Sequence, residues 1–258
     1  MLSVTLFLLA HSVAVAAPRT LKEVKTAGVI RLATDSNAPP FSSRRQIKDK
    51  EPTGFEIDLG REIARRLGVG VRWVEKSFSA LLPTLDRGEA ELVISGHAVT
   101  PARSAVADFT DALYCADVVI VSREDGPRTV AELKGKSVVA PVGTVYVERL
   151  KAVEGLEHLR TVPNETDGLQ SLLKNRVDAW ITEDTVAQDA VAKHAAAGLR
   201  IGEHILPQRN ALVVAKGNTE LRDAVNRILR ELLNDGTYGR LSMQYFKRDV
   251  RCGAVGAP

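Results

Sequence analysis

Short apolar runs alternate with longer stretches of helical spacing along most of this chain. Residues 29–34 read as a strand ending in the polar turn Asp35-Ser36-Asn37, and Pro39-Pro40 stops regular pairing. Between 55 and 67 the apolar residues fall at 55, 57, 59, 63, 64 and 67. That spacing predicts a helix from about Asp58, closed by Gly68. Residues 69–74 alternate as a strand, 79–85 form a short helix with Ser79 as N-cap, and 90–95 make a buried strand. This β-α-β-α-β order calls for a mostly parallel sheet with helices on both faces.

The long apolar stretch 113–122 breaks the rhythm, which then restarts. Strands are expected at 137–141, 158–162, 177–182 and 211–215. Helices are expected at 130–133, 144–153, 167–174, 185–194, 221–233 and 238–246. Two α/β units in succession fit either tandem domains or two lobes that the chain crosses twice. The extended apolar connection at 113–122 suits the second, since no Pro/Gly/Ser linker occurs there. Ligands of open α/β sheets sit beyond the carboxyl ends of the strands. The residues to inspect are therefore Asp35, the segment 95–103, Gly143-Thr144 and Glu183-Asp184.

Composition narrows the partners. The net charge is only +3 over 258 residues and no long basic block occurs, so a nucleic-acid partner is not expected. Residues 1–17 carry no charged side chain, have an apolar centre at 6–10, and end on the small-x-small pattern Ala14-Val15-Ala16. They read as a cleaved signal peptide, too short to span a membrane. Cys115 lies in an apolar run and Cys252 in a Gly/Ala tail. They read as a buried small hydrophobe and a tail thiol, with pairing the alternative in a secreted chain. No metal-ligand spacing occurs and no cofactor is implied.

The positions after the strands share a chemical logic. Ser95, Gly96 and Thr100 offer hydroxyls and backbone N–H groups, and Arg103 follows. Gly143-Thr144 opens a helix whose free N–H groups attract an anion. A guanidinium fork, hydroxyls and a helix start make a carboxylate receptor. Glu183, aided by Asp35, supplies negative charge for an ammonium. Together they describe a site for a zwitterion. Taken singly, each has a plainer reading: Arg103 a surface ion pair with Asp108, Thr144 a helix cap, Glu183 a solvated acid, Phe78 a core residue.

These residues lie in ordered motifs. Gly54-Phe55-Glu56-Ile57-Asp58-Leu59, Ser95-Gly96 with Thr100-Pro101-Ala102-Arg103 and Asp108-Phe109-Thr110, and Leu133-Lys134-Gly135-Lys136 come first. Val142-Gly143-Thr144, Asp178 through Glu183, and Asp235-Gly236-Thr237 follow. In this order they resemble the periplasmic solute-binding proteins of polar amino-acid ABC importers, family 3, over about residues 20–247. The resemblance implies an α/β, two-lobed periplasmic-binding-protein fold of type II, each lobe a mostly parallel sheet flanked by helices. It places lobe 1 at 18–112 plus 212–248, lobe 2 at 118–205, hinge crossings at 113–117 and 206–211, and a flexible tail at 249–258. It also implies Arg103 on the ligand carboxylate, helped by Thr144, Gly143 and backbone near Ser95, Gly96 and Ala98. Glu183 would take the ammonium, with Asp35 at the rim and Phe78 against the ligand.

Some residues depart from the family pattern. Ala38 stands where many relatives stack an aromatic ring, Glu183 replaces an Asp, and His97 adds an imidazole that lines the pocket or stands behind it. The implied protein is a monomeric, non-enzymatic periplasmic receptor that delivers its solute to an inner-membrane ABC permease complex. The rivals are a secreted lyase resembling cyclohexadienyl dehydratase, and a sensing or accessory protein that binds solute without a transporter.

Overall fold

A computed structural model of the chain describes residues 17–44, 46, 50–156 and 158–253. The expected leader, apart from Ala17, and the last five residues lie outside the described residues. Helix α1 (Leu21–Ala27) leads into strand β1 (Val29–Thr34) and a two-residue hairpin, β2 (Asn37–Ala38) with β3 (Ser42–Ser43). Then come α2 (Phe55–Leu67), β4 (Gly70–Glu75), α3 (Phe78–Asp86), β5 (Leu92–Ala98) and α4 (Pro101–Val106). The long strand β6 (Ala107–Ser122) carries the chain to β7 (Ser137–Pro141), α5 (Val145–Lys151) and β8 (His158–Val162). Helix α6 (Glu165–Leu173), β9 (Ala179–Glu183) and α7 (Asp184–Lys193) follow. A second long strand, β10 (Arg200–Ala215), returns the chain to α8 (Thr219–Asn234) and α9 (Thr237–Phe246).

One sheet has the order β4-β1-β5-β10-β6-β9-β7-β8. Its two ends repeat one plan: β4, β1 and β5 are parallel, as are β8, β7 and β9. Between them β6 and β10 run antiparallel to each other from Ala107↔Ala215 to Ser122↔Arg200. β10 meets β5 only at residues 210–213, and β6 meets β9 only at 118–122. Within this sheet, β6 residues 113–117 pair with β10 alone. The molecule therefore narrows to a two-stranded waist between two α/β halves. The apolar run at 113–122 belongs to a strand that starts at Ala107, and the run at 211–215 to one that starts at Arg200. Their outer residues are mixed in polarity because only parts of each strand are covered on both faces, so hydropathy alone cut both short.

Helix α8 shows how the halves are sealed. Its buried residues Leu221, Ala224, Val225, Ile228, Leu229 and Leu232 recur at helical spacing and form one stripe against the core. Each large aliphatic side chain buried this way contributes roughly 1.5–3 kcal/mol. Helix α2 begins at Phe55, three residues before the expected Asp58, because Gly54 lets the chain turn sharply. Gly54 has φ +141°, and a Cβ there would lie 2.2 Å from the Phe41 carbonyl oxygen. Phe55 N–H donates to Pro40 O and Glu56 N–H to Phe41 O across this contact. Gly54→Ala should cost about 2–4 kcal/mol through strain and clash. Urea unfolding would measure this, and an unchanged midpoint would refute the close-approach account. Helix α3 likewise starts at Phe78 with Ser77 as N-cap, not Ser79, because the Asp35 carboxylate accepts the Phe78 N–H at 3.0 Å.

The tail departs most from expectation. Cys115 and Cys252, 137 positions apart in sequence, form a disulfide with Cα atoms 4.7 Å apart. The expected buried hydrophobe and tail thiol are therefore partners. Residues 249–253 are fastened and not a loose tail: Val250 is fully buried, donates to Ser242 Oγ and accepts from Cys115 N–H. The tail lies beside the stretch of β6 that has no second strand there, a vacancy that only the folded sheet reveals.

Candidate functional site

A cavity lies where the carboxyl ends of the two parallel sets face each other. Of the residues expected there, Asp35, Phe78, Ser95, Gly96, Thr144 and Glu183 line it. Asp35 follows β1, Ser95 and Gly96 sit in β5, Thr144 follows β7, and Glu183 ends β9. Gly96 has φ +51°, and a Cβ on it would stand 2.6 Å from the Tyr114 hydroxyl, so this wall admits no side chain.

Arg103 stands at the edge of this cavity on α4, a helix with no buried residue. Thr100 caps that helix by accepting the Arg103 N–H. One guanidinium nitrogen donates to Ala98 O at 2.9 Å and the other to Gly143 O at 3.0 Å. The second bond reaches from one half of the molecule to the other. Thr166 Oγ1 makes a like crossing by donating to Asn37 O at 3.0 Å, so the two rims touch. The guanidinium carbon lies 5.5 Å from the Phe78 ring centre. Burial disfavours its charge, while Tyr146 and Glu183 favour it. Ala98 and Gly143 thus serve by holding Arg103 with their carbonyls, outside the lining itself.

His97 does not line the cavity. It is 1% exposed and stacks behind Phe78 with ring centres 4.4 Å apart. Burial first, and the Arg103 charge second, push its pKa down to about 3, so the ring is neutral. Asp184 also points elsewhere. Its carboxylate pairs with Arg248 at 2.6 Å, which breaks up any Glu183–Asp184 dyad.

The acidic character of the lining exceeds the sequence expectation. Glu183 accepts from Asn210 Nδ2 at 3.1 Å and from the Tyr114 hydroxyl at 3.3 Å. Burial, followed by the charges of Glu165, Asp184 and Glu56, holds its pKa well above the carboxylate range. Asp35 accepts from Asn37 and Phe78, yet burial raises its pKa too. Glu56 and Glu165 complete the set and were missed. In sequence Glu56 is one acid at the start of an amphipathic helix, and Glu165 is an ordinary acid in a helix's first turn. Neither carries a signal of its own, because the cavity that buries them is built from distant segments. Tyr114 was hidden in an apolar run. Phe41, which also lines the cavity and stacks on Tyr114 at 4.8 Å, brings an aromatic wall three residues beyond Ala38.

With this geometry in view, the comparisons fall into one group. The model for bacterial extracellular solute-binding proteins, family 3, matches residues 30–248. The chain belongs to that family. One relative, a histidine-binding periplasmic protein of Salmonella typhimurium (strain LT2), shares 30% identity over 236 residues, 87% of this chain and 90% of that protein. An ancestral arginine-binding protein solved with arginine has 31% identity and a TM-score of 0.80, covering 85% of this chain and 98% of that one. An ancestral amino acid-binding protein described as a precursor of cyclohexadienyl dehydratase also has 31% identity and a TM-score of 0.80, over 88% and 99%. This family 3 chain thus resembles, in overall sequence and in fold, proteins described as binding amino acids.

Proposed function

We propose that this family 3 protein is the substrate-binding component of an ABC importer, holding an amino acid between lobes 18–112 plus 212–248 and 118–205. One observation carries the reading: Arg103 at the edge of the cavity and Glu183 in its lining come from opposite halves of the molecule, and the Arg103 guanidinium reaches across to Gly143 O. The guanidinium takes the α-carboxylate, with Thr144 beside it, and Glu183 with Asp35 takes the ammonium. The waist at 113–117 and 206–211 acts as the hinge, since two paired strands bend more easily than a full sheet. Ligand favours closure only through contacts made to both halves at once. The histidine and arginine bound by the relatives support an amino-acid class. The protein acts as a monomer in the periplasm, passing its ligand to an inner-membrane permease.

Calorimetry with the L-amino acids, their decarboxylated amines and their N-acetyl forms tests this. A micromolar constant, about −8 kcal/mol, is expected for at least one amino acid. Loss of either charged group should abolish its binding. Equal affinity for the amine or the N-acetyl form would overturn the zwitterion site.

A lyase reading has one observation in its favour, the buried Glu183 acid with its raised pKa. Incubation with prephenate or arogenate decides it, and release of an aromatic product would replace the binding reading.

A further inference from the structure

Resting on the amino-acid reading, a second question concerns the side chain of the ligand. Four carboxyl groups line the cavity, Asp35, Glu56, Glu165 and Glu183, and no Lys, Arg or His is among the described lining residues. A zwitterion with a neutral side chain offers one positive charge to this set. Two of the four are incompletely bonded. Glu56 is 1% exposed and accepts only the Gly96 N–H, through Oε1. Glu165 is 9% exposed and accepts Trp180 Nε1–H and Thr182 Oγ1–H, both through Oε2. Glu56 Oε2 and Glu165 Oε1 have no hydrogen-bond partner among the described residues. Both side chains end at the cavity wall, one from each half of the molecule.

We infer that Glu56 and Glu165 form a second-charge subsite that selects an amino acid with a cationic side chain and releases protons as that cation enters. Burial holds Glu56 up to about 7 and Glu165 up to about 8 before a cation arrives. Asp35 adds to the rise at Glu165. The groups facing Glu56 are Tyr114 on β6, Glu183 on β9 and Tyr238 on α9. Those facing Glu165 are Asp35 after β1, Glu183 on β9 and Tyr146 on α5. None of these is a cation, and among the described residues none pairs with either acid; Arg103, at the cavity's edge, acts on Glu183 and Tyr146 instead. A ligand ammonium or guanidinium favours the charged forms, and their protons leave to solvent.

The sign follows from linkage. Below the pKa of the empty pair, cation binding must expel protons, so affinity for a cationic ligand rises with pH. The rise approaches tenfold per pH unit per proton released and flattens above about 8. A ligand with a neutral side chain draws a proton only from the acids that meet its ammonium, so its slope is shallower by the protons of Glu56 and Glu165.

Titration calorimetry on the full chain tests this with L-arginine and L-lysine against L-citrulline and L-norleucine, in phosphate and in Tris buffer. At least one cationic ligand should bind tenfold or more tightly than its neutral counterpart. Its affinity should rise about tenfold or more from pH 6 to pH 8, with proton release shown by the buffer dependence of the heat. Glu165→Gln should reduce the preference for the cationic over the neutral ligand by at least tenfold, and Glu56→Gln serves as the second variant. Equal binding of both kinds, or tighter binding of the neutral one, overturns the subsite and leaves the zwitterion site standing. A cationic ligand whose pH slope and proton release do not exceed those of its neutral counterpart also overturns it. Failure of all amino acids to bind would overturn both readings.

Discussion

Replacing Arg103 by alanine lowers amino-acid affinity by two to four decades and leaves the fold intact. A charge-assisted hydrogen bond is worth about 1.5–3 kcal/mol, and a buried carboxylate left without its partner costs about 3–5 kcal/mol. Either figure corresponds to at least about tenfold, and the larger to several decades. The fold is spared because α4 buries none of its residues and the guanidinium bonds only to backbone carbonyls. The change also removes a bond that joins the two halves. Arg103→Lys should recover only part of the loss, since an ammonium cannot present two parallel donors to a carboxylate. Calorimetry with circular dichroism on the same samples checks this. Undiminished affinity in the alanine variant would remove the carboxylate receptor from the account.

Removing the disulfide acts on stability instead. The Cys115→Ser, Cys252→Ser double variant should lose roughly 2–5 kcal/mol, because the bridge closes a loop of 137 residues in the unfolded chain. In a chain of this size, that is a fall in Tm of about 5–15 °C. Part of the loss comes from the tail, whose buried Val250 depends on the same anchor. Binding should persist. Along β6 successive side chains alternate in direction, so Tyr114 faces the cavity while Cys115 faces away. Differential scanning calorimetry with and without a thiol reductant makes the comparison in the wild type as well. Coincident melting curves would show that the bridge carries no stability.

Most strands and helices are legible in the sequence because each has its own period and its own stop signals. The strand after which Asp35 sits, the helix closed by Gly68 and the amphipathic α8 all follow from local spacing. The boundaries that moved have tertiary causes. Asp35 accepts the Phe78 N–H, so α3 takes Ser77 as N-cap, two residues before the expected Ser79, and Gly54 starts α2 early by passing under Phe41.

The same division holds for the site. Arg103, Thr144 and Glu183 were singled out because each follows an expected strand, a position that carries meaning before any fold is known. Glu56, Glu165 and Tyr114 were not, because their chemistry depends on burial against residues far away in sequence. For His97 the sequence left two places open, in the pocket lining or behind it, and packing set its ring behind Phe78.

The amino-acid sequence alone therefore determined the alternation of elements, the two α/β units and the pair of opposite charges that the strand ends present. These are local properties, fixed by period, turn chemistry and side-chain type. The tertiary structure decided the waist, the tail bridge and the acidic depth of the cavity. Each of these depends on which distant segments exclude water from one another, and pairing, burial and pKa all follow from that exclusion.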